Sequence, residues 1–224
     1  MRLRYPFLLI LLLVPTRAVH ADEKLTADFA TQAGVDGVTK DYGALLGGGS
    51  FHSGKSLGFP LGFDLAYHVP VIDRNGTGKH HGRIVQLDFG LSRINLIGRV
   101  GDIEDADMYG GGIRLGLYSS AVPAIPSVAV TGLYDKADHE AYEAETFTGT
   151  LVLSFSVPFI HPYVGVGVDR TNLELKSGTF ESSETGTRIE GGLNLSLIPF
   201  TYITLGAGYA RDVPTYHIGA GVRL

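Results

Sequence analysis

The sequence predicts an all-β fold: a closed antiparallel up-and-down transmembrane β-barrel of about ten strands, with eight as the alternative count. Three observations predict it. Apolar residues recur with a period of two over most of residues 57–224, the repeat of a strand with one apolar face. The opposite parity holds Gly, Ser, Thr, Asn and a few Asp and Arg, a lining for a crowded lumen rather than a solvent-facing sheet, which normally presents Lys and Glu. All six lysines (Lys24, Lys40, Lys55, Lys79, Lys136 and Lys176) fall in the leader or in expected connections. If the apolar face meets lipid the sheet must close, because hydrocarbon offers no partner to an unpaired backbone group. A soluble barrel of lipocalin type is the alternative.

Taken in order, residues 1–21 read as a secretory signal peptide: Arg2 and Arg4 begin it, residues 6–14 are its apolar core, and Val19-His20-Ala21 is a small-residue cleavage pattern. That apolar run is well short of the roughly 20 residues of a transmembrane helix. The chain has no cysteine, hence neither a disulfide framework nor a lipid-attachment cysteine. Residues 22–41 read as a periplasmic leader, with a short helix against or inside the barrel as the alternative, since Leu25, Phe29, Ala33 and Val38 are loosely spaced like one helical face. The barrel is assigned to residues 42–224.

A glycine-rich strand is expected over 42–49 and a turn over 50–56. Next comes the clearest alternation, with Leu57, Phe59, Leu61, Phe63, Leu65 and Tyr67 on one parity. Further strands are read around residues 85–92, 109–117, 128–131, 147–157, 163–169, 188–197 and 202–209. The last strand, 215–224, sets Tyr216, Ile218, Ala220, Val222 and Leu224 against His217, Gly219, Gly221 and Arg223.

This last strand resembles the closing strand of bacterial outer-membrane β-barrel proteins, which usually ends in Phe where this chain has Leu224. The resemblance implies that Tyr216, Ile218, Ala220, Val222 and Leu224 form an assembly signal read by the barrel-assembly machinery. The stretch DYGALLGG…LGFPLGFDLAYHV is also similar to an uncharacterised family of small outer-membrane barrels with a glycine-punctuated first hairpin. No activity comes with that likeness.

With the C-terminus placed in the periplasm, the polar segments 101–107, 135–146 and 174–186 become outer connections, and the proline-bearing segments 119–126, 158–161 and 198–200 become inner ones. Long outside and short inside is the barrel pattern; the exception is 69–83, long and basic on the expected inner side. Tyr109, Tyr134, Phe147, Tyr209 and Tyr216 are expected at the outer rim, and Tyr67, Phe159, Phe200 and Tyr202 at the inner one.

Asp64, Asp88, Arg114, Asp169, Arg188, Glu190 and Arg223 fall on the lumen parity. Opposite charges in a narrow interior must pair, so they are expected to form a structural network, with a selectivity constriction as the alternative. Asp102, Glu104, Asp105 and Asp107 supply hard-cation ligands without the glycine and distal glutamate of an EF-hand loop, and Lys79-His80-His81 is a second weak metal candidate; solvated surface residues are the expected reading of both. Ser119 and Ser120 have no histidine nearby in sequence, and His217 no adjacent serine, so no catalytic constellation is expected. Lipid A deacylases, small outer-membrane barrels with a His/Ser pair, have a local signature absent here.

The chain's net charge is −5; without Arg2, Arg4 and Arg17 it has 15 basic residues against 23 acidic, or −8, which argues against nucleic-acid binding. The expected function is that of a non-catalytic outer-membrane barrel of structural or surface-interaction type. A narrow pore for small polar solutes comes second and a lipid-modifying enzyme third. The expected partners are outer-membrane lipid and lipopolysaccharide, with the assembly machinery during biogenesis. No cofactor is expected, and the protein is read as a monomer.

Overall fold

A computed structural model describes residues 29, 31–50, 57–74, 79–120, 122–123, 125–178 and 180–224, with backbone alone for 58–61. The expected signal peptide (1–21) and most of the expected turn (51–56) lie outside the described residues. Ten strands follow one helix: α1 (Gln32–Leu46), β1 (Gly58–Asp73), β2 (Lys79–Ser92), β3 (Ile94–Ile103), β4 (Ala106–Tyr118), β5 (Ser127–Asp138), β6 (Tyr142–Ser154), β7 (Ile160–Leu175), β8 (Glu181–Leu195), β9 (Thr201–Ala210) and β10 (Val213–Arg223). Each strand pairs antiparallel with its sequence neighbours, and β10 returns to β1 with Leu65 opposite Val222 and Tyr67 opposite Ala220, closing the barrel.

Period-two patterning sets the two faces. Phe63, Leu65, Val85, Leu87, Phe89, Ile113, Leu115, Val166, Val168, Leu193, Leu205 and Ile218 are exposed on the outside, while Asp64, Gln86, Asp88, Arg114, Asp169, Asn194 and His217 are buried inside. So large a continuous apolar exterior has no place in water and fits the hydrocarbon band of a bilayer. Residues Tyr216, Ile218 and Leu224 of the expected assembly signal are exposed on it, and Ala220 and Val222 are half-buried on the same face.

The structure corrects the sequence reading in several places. Residues 42–49 are not a strand but the C-terminal part of α1 and its following turn. The ten-strand count is restored by β3, which alternation missed because Ile97 faces inward (6% exposed) and Gly98 outward, inverting the pattern at mid-strand. With β3 in place, the connection between β1 and β2 shrinks to residues 74–78 and moves to the end opposite Leu224, so the long basic inner loop disappears.

The polar segments expected as loops are largely strand. β3 and β4 are joined by the two-residue turn Glu104-Asp105, and β5 and β6 by residues 139–141. Strands of up to 16 residues exceed the roughly 9–11 that a tilted crossing needs, so they continue past the apolar band. Lys79 and Lys136 therefore lie inside strand ends, Lys40 lies in α1, and Lys176 lies in a turn. Beyond the band the exterior is ionic: Arg83 donates to Asp102 at 2.9 Å, Lys136 reaches Glu143 and Glu145, and Lys176 reaches Asp138. We call this the far end, and the end with Leu224 the near end.

Two girdle assignments also change. Tyr67 shares a cross-strand row with Val85, Val100 and Tyr109, on the far side of the band. Tyr202 points inward, 5% exposed, with its hydroxyl on Asp64 at 2.7 Å. Phe159 and Phe200 sit at the near rim, 65% and 68% exposed.

Candidate functional site

The lumen is the site the fold builds, and α1 occupies its far half. Thr31 caps the helix, its hydroxyl accepting from Gly34 N at 3.1 Å. Val35, Val38, Tyr42, Leu45 and Leu46 pack against Ile72, Ile84, Ile103, Met108, Tyr142 and Leu173 of the wall, a hydrophobic core inside the barrel. Exposure of α1 is confined to its start and to Lys40; every residue from 41 to 50 is buried.

The last turn of α1 carries no basic residue, and the carbonyls at this end carry partial negative charge. The barrel supplies the cations. Arg99 donates to Leu46 O at 2.9 Å and Gly48 O at 2.8 Å. Arg188 donates to Gly43 O at 2.8 Å, and Arg211 to Thr39 O at 3.4 Å. Each arginine is held from behind: Arg99 by Asp135, and Arg188 (3.1 Å) and Arg211 by a shared Asp169. The glycines explain themselves here, because a Cβ at Gly43 would collide with Arg211 and one at Gly47 with Arg188. At the rim Arg74 adds an ion pair to Asp41 at 3.4 Å.

In the near half the charges pair within the wall. Arg114 donates to Asp88 at 2.8 Å and to Thr131 at 3.3 Å. Arg223 donates twice to Asp64, at 2.8 and 2.6 Å, beneath the Tyr202 ring. Glu190 lies 3.1 Å from His217 Nδ1 and accepts from the Tyr163 hydroxyl at 3.2 Å, while that hydroxyl is 2.9 Å from His217 Nε2. Gln86 Oε1, Asn95 Nδ2, Arg114 Nη2 and the Thr148 and Thr150 hydroxyls, all buried, bond no protein group among the described residues.

All seven residues expected in the lumen network thus lie in the lumen, in separate groups at two levels. Sequence reasoning missed Arg99, Asp135 and Arg211. The first lies on the missed strand, and the other two fell in segments read as loops. His217 stands on the lumen parity of the last strand, but its meeting with Tyr163 and Glu190 leaves no signal in the sequence.

The acidic segment is spread out. Asp102 pairs with Arg83, Glu104 accepts from His81 N at 2.8 Å, and Asp105 and Asp107 are exposed. Glu104 also lies 3.5 Å from His80 and 3.7 Å from His81, and its carboxylate raises the His80 pKa above the usual imidazole value. Among the described residues no group of three carboxylates or imidazoles is placed to hold a metal ion. Ser120 fastens the turn after β4, its amide donating to Ser127 Oγ and its own Oγ accepting from Val122 N, both at 3.0 Å.

No protein-family model matches the chain, and no curated protein matches it in sequence. Solved structures resemble it distantly. The N-terminal β-barrel domain of OprF from Pseudomonas aeruginosa is 14% identical, with 73% of this chain and 97% of that one covered and a TM-score of 0.40. OprG from the same organism is 11% identical (78% and 99% covered, TM-score 0.40). The translocator domain of the autotransporter NalP from Neisseria meningitidis is 12% identical (93% and 99% covered, TM-score 0.38).

Proposed function

We propose that this chain is an outer-membrane β-barrel closed by its own N-terminal helix, a non-catalytic protein of structural or surface-interaction type, with the far end outward and the near end in the periplasm. The observation that carries the reading is the unbroken burial of residues 41–50 inside the barrel, with three arginines fixed on the helix carbonyls. A far half filled in this way argues against solute traffic. The apolar exterior supports the membrane setting, and the ionic strand extensions of the far end support the orientation, since such barrels project further outside than into the periplasm. Lipid and lipopolysaccharide are the partners that such an exterior meets.

A narrow pore is the second reading, favoured by buried polar atoms of Gln86, Asn95, Arg114, Thr148 and Thr150 that bond no protein group among the described residues, a lining that water could wet. Single-channel recording in a planar bilayer separates the two. The plugged reading predicts a silent trace; regular openings whose conductance changes in an Arg114→Ala variant would replace it with the pore.

A further inference from the structure

We propose that α1 is seated from the far end, so that the protein presents the start of its own N-terminal helix at the cell surface, through its lumen. The proposal rests on the orientation given above and adds to it the direction of the helix. That direction can be followed contact by contact. At the far rim Gln32 donates to Glu181 O at 3.0 Å, Phe29 sits edge-on to Tyr142 at 5.1 Å, and Ser182 donates to Asp36 at 2.7 Å. Deeper in, Thr39 O and Gly43 O meet Arg211 and Arg188, and Leu46 O and Gly48 O meet Arg99. The chain then reaches the near end, where Leu57 N donates to Asn95 Oδ1 at 3.3 Å.

Electrostatics fixes the same direction. A helix end that offers carbonyls attracts cations, and the end that offers N–H groups repels them. Arg188 and Arg99 face the carbonyl end of α1, where an inverted helix would set free N–H donors against two guanidinium groups. The helix start needs no burial: residues 31–33 are exposed, and the Thr31 hydroxyl serves one of the free amides. On this proposal the described start of the segment expected as a periplasmic leader, residues 31–36, lies at the far face instead. In this arrangement α1 enters the lumen from the outer face, with its first turn exposed there.

The absence of cysteine makes the test direct. Three full-length variants are expressed in intact bacteria and treated with a membrane-impermeant maleimide: Ala33→Cys at the helix start, Asp105→Cys in the far-end turn between β3 and β4, and Ser196→Cys in the near-end connection between β8 and β9. Heat-modifiable migration on gels checks that each variant has folded. The expected result is labelling of Ala33→Cys and Asp105→Cys on intact cells, with Ser196→Cys reacting only after the outer membrane is permeabilised. Labelling of Asp105→Cys without Ala33→Cys would overturn the surface presentation and leave the orientation of the barrel standing. Labelling of Ser196→Cys without Asp105→Cys would overturn the orientation, and the presentation with it.

Discussion

In the far half of the lumen Arg99, Arg188 and Arg211 divide their donors between a wall aspartate and the carbonyls of α1, whereas in the near half Arg114 and Arg223 turn theirs to Asp88, Asp64 and a threonine. Both sets are ion pairs inside the barrel, buried except at Arg223, whose side chain is 38% exposed. In the near half removing a cation breaks a bond within the wall; in the far half it also releases a helix end. Equal charge balance along a barrel can therefore hide two different tasks, closing a wall and gripping a plug.

The largest expected effect tests that difference. Arg99→Ala leaves Asp135 buried without its cation and two helix carbonyls without a donor, and breaking such a pair costs about 3–5 kcal/mol. Arg114→Ala should cost a similar amount through Asp88. Denaturant-dependent refolding into lipid vesicles measures both losses. Only Arg99→Ala should also yield discrete openings in a planar bilayer, because only it frees the plug. Openings in both variants, or in neither, would erase the distinction between the two halves.

A smaller effect separates glycines by what they touch. Gly43→Ala improves helix propensity by roughly 1 kcal/mol, yet the new methyl meets Arg211, locked on Asp169, and the Thr171 hydroxyl. Overpacking of this kind costs about 1–3 kcal/mol, so a net loss is expected. Gly98→Ala, on the lipid side of β3 with nothing within 4 Å of the added carbon, should gain about 0.5–1 kcal/mol by restricting the unfolded chain. The same refolding series reads both signs, and a gain at Gly43 would mean that the arginine contacts are loose.

The smallest effect lies at the far rim. Because Glu104 raises the pKa of His80 in the folded protein, the stability contributed by this pair is fully present below the unfolded value of about 6.5 and is lost as the pH rises through the raised folded value. A His80→Ala variant should lose that component, so the difference in stability between the two proteins narrows with rising pH. A difference that widens would reverse the sign and count against the pairing.

These contrasts also mark what the sequence could reveal. Alternation disclosed the lipid face and the lumen parity because a period of two follows from strand geometry alone, and a strand such as β10 shows it without interruption. It failed at β3, where Ile97 packs inside and Gly98 lies outside. It failed as well at residues 42–49, whose glycines imitate a barrel strand. Gly43 and Gly47 are there to admit the side chains of Arg211 and Arg188, from parts of the barrel more than a hundred residues away, a tertiary reason that leaves no local periodicity. The helix was legible only as a weak spacing of Leu25, Phe29, Ala33 and Val38, and a place against or inside the barrel only as the alternative to a periplasmic leader. Charge pairing showed the reverse pattern: its residues were readable one by one, but partners set by barrel closure, such as Asp64 with Arg223, depend on register across the seam.

The seat of the plug can be measured directly. An ideal Cβ on Gly49 lies 3.6 Å from Cβ of His68, within the range for a disulfide, and the chain has no other cysteine. A side chain at the left-handed Gly49 (φ 73°) costs roughly 1–2 kcal/mol, less than the ~3 kcal/mol expected from cross-linking a loop of this size. The Gly49→Cys/His68→Cys protein, folded in vesicles and then mildly oxidised, should form the bond nearly completely and migrate as a compact species on non-reducing denaturing gels. Two thiols that stay free in the folded barrel would contradict a helix anchored in the lumen.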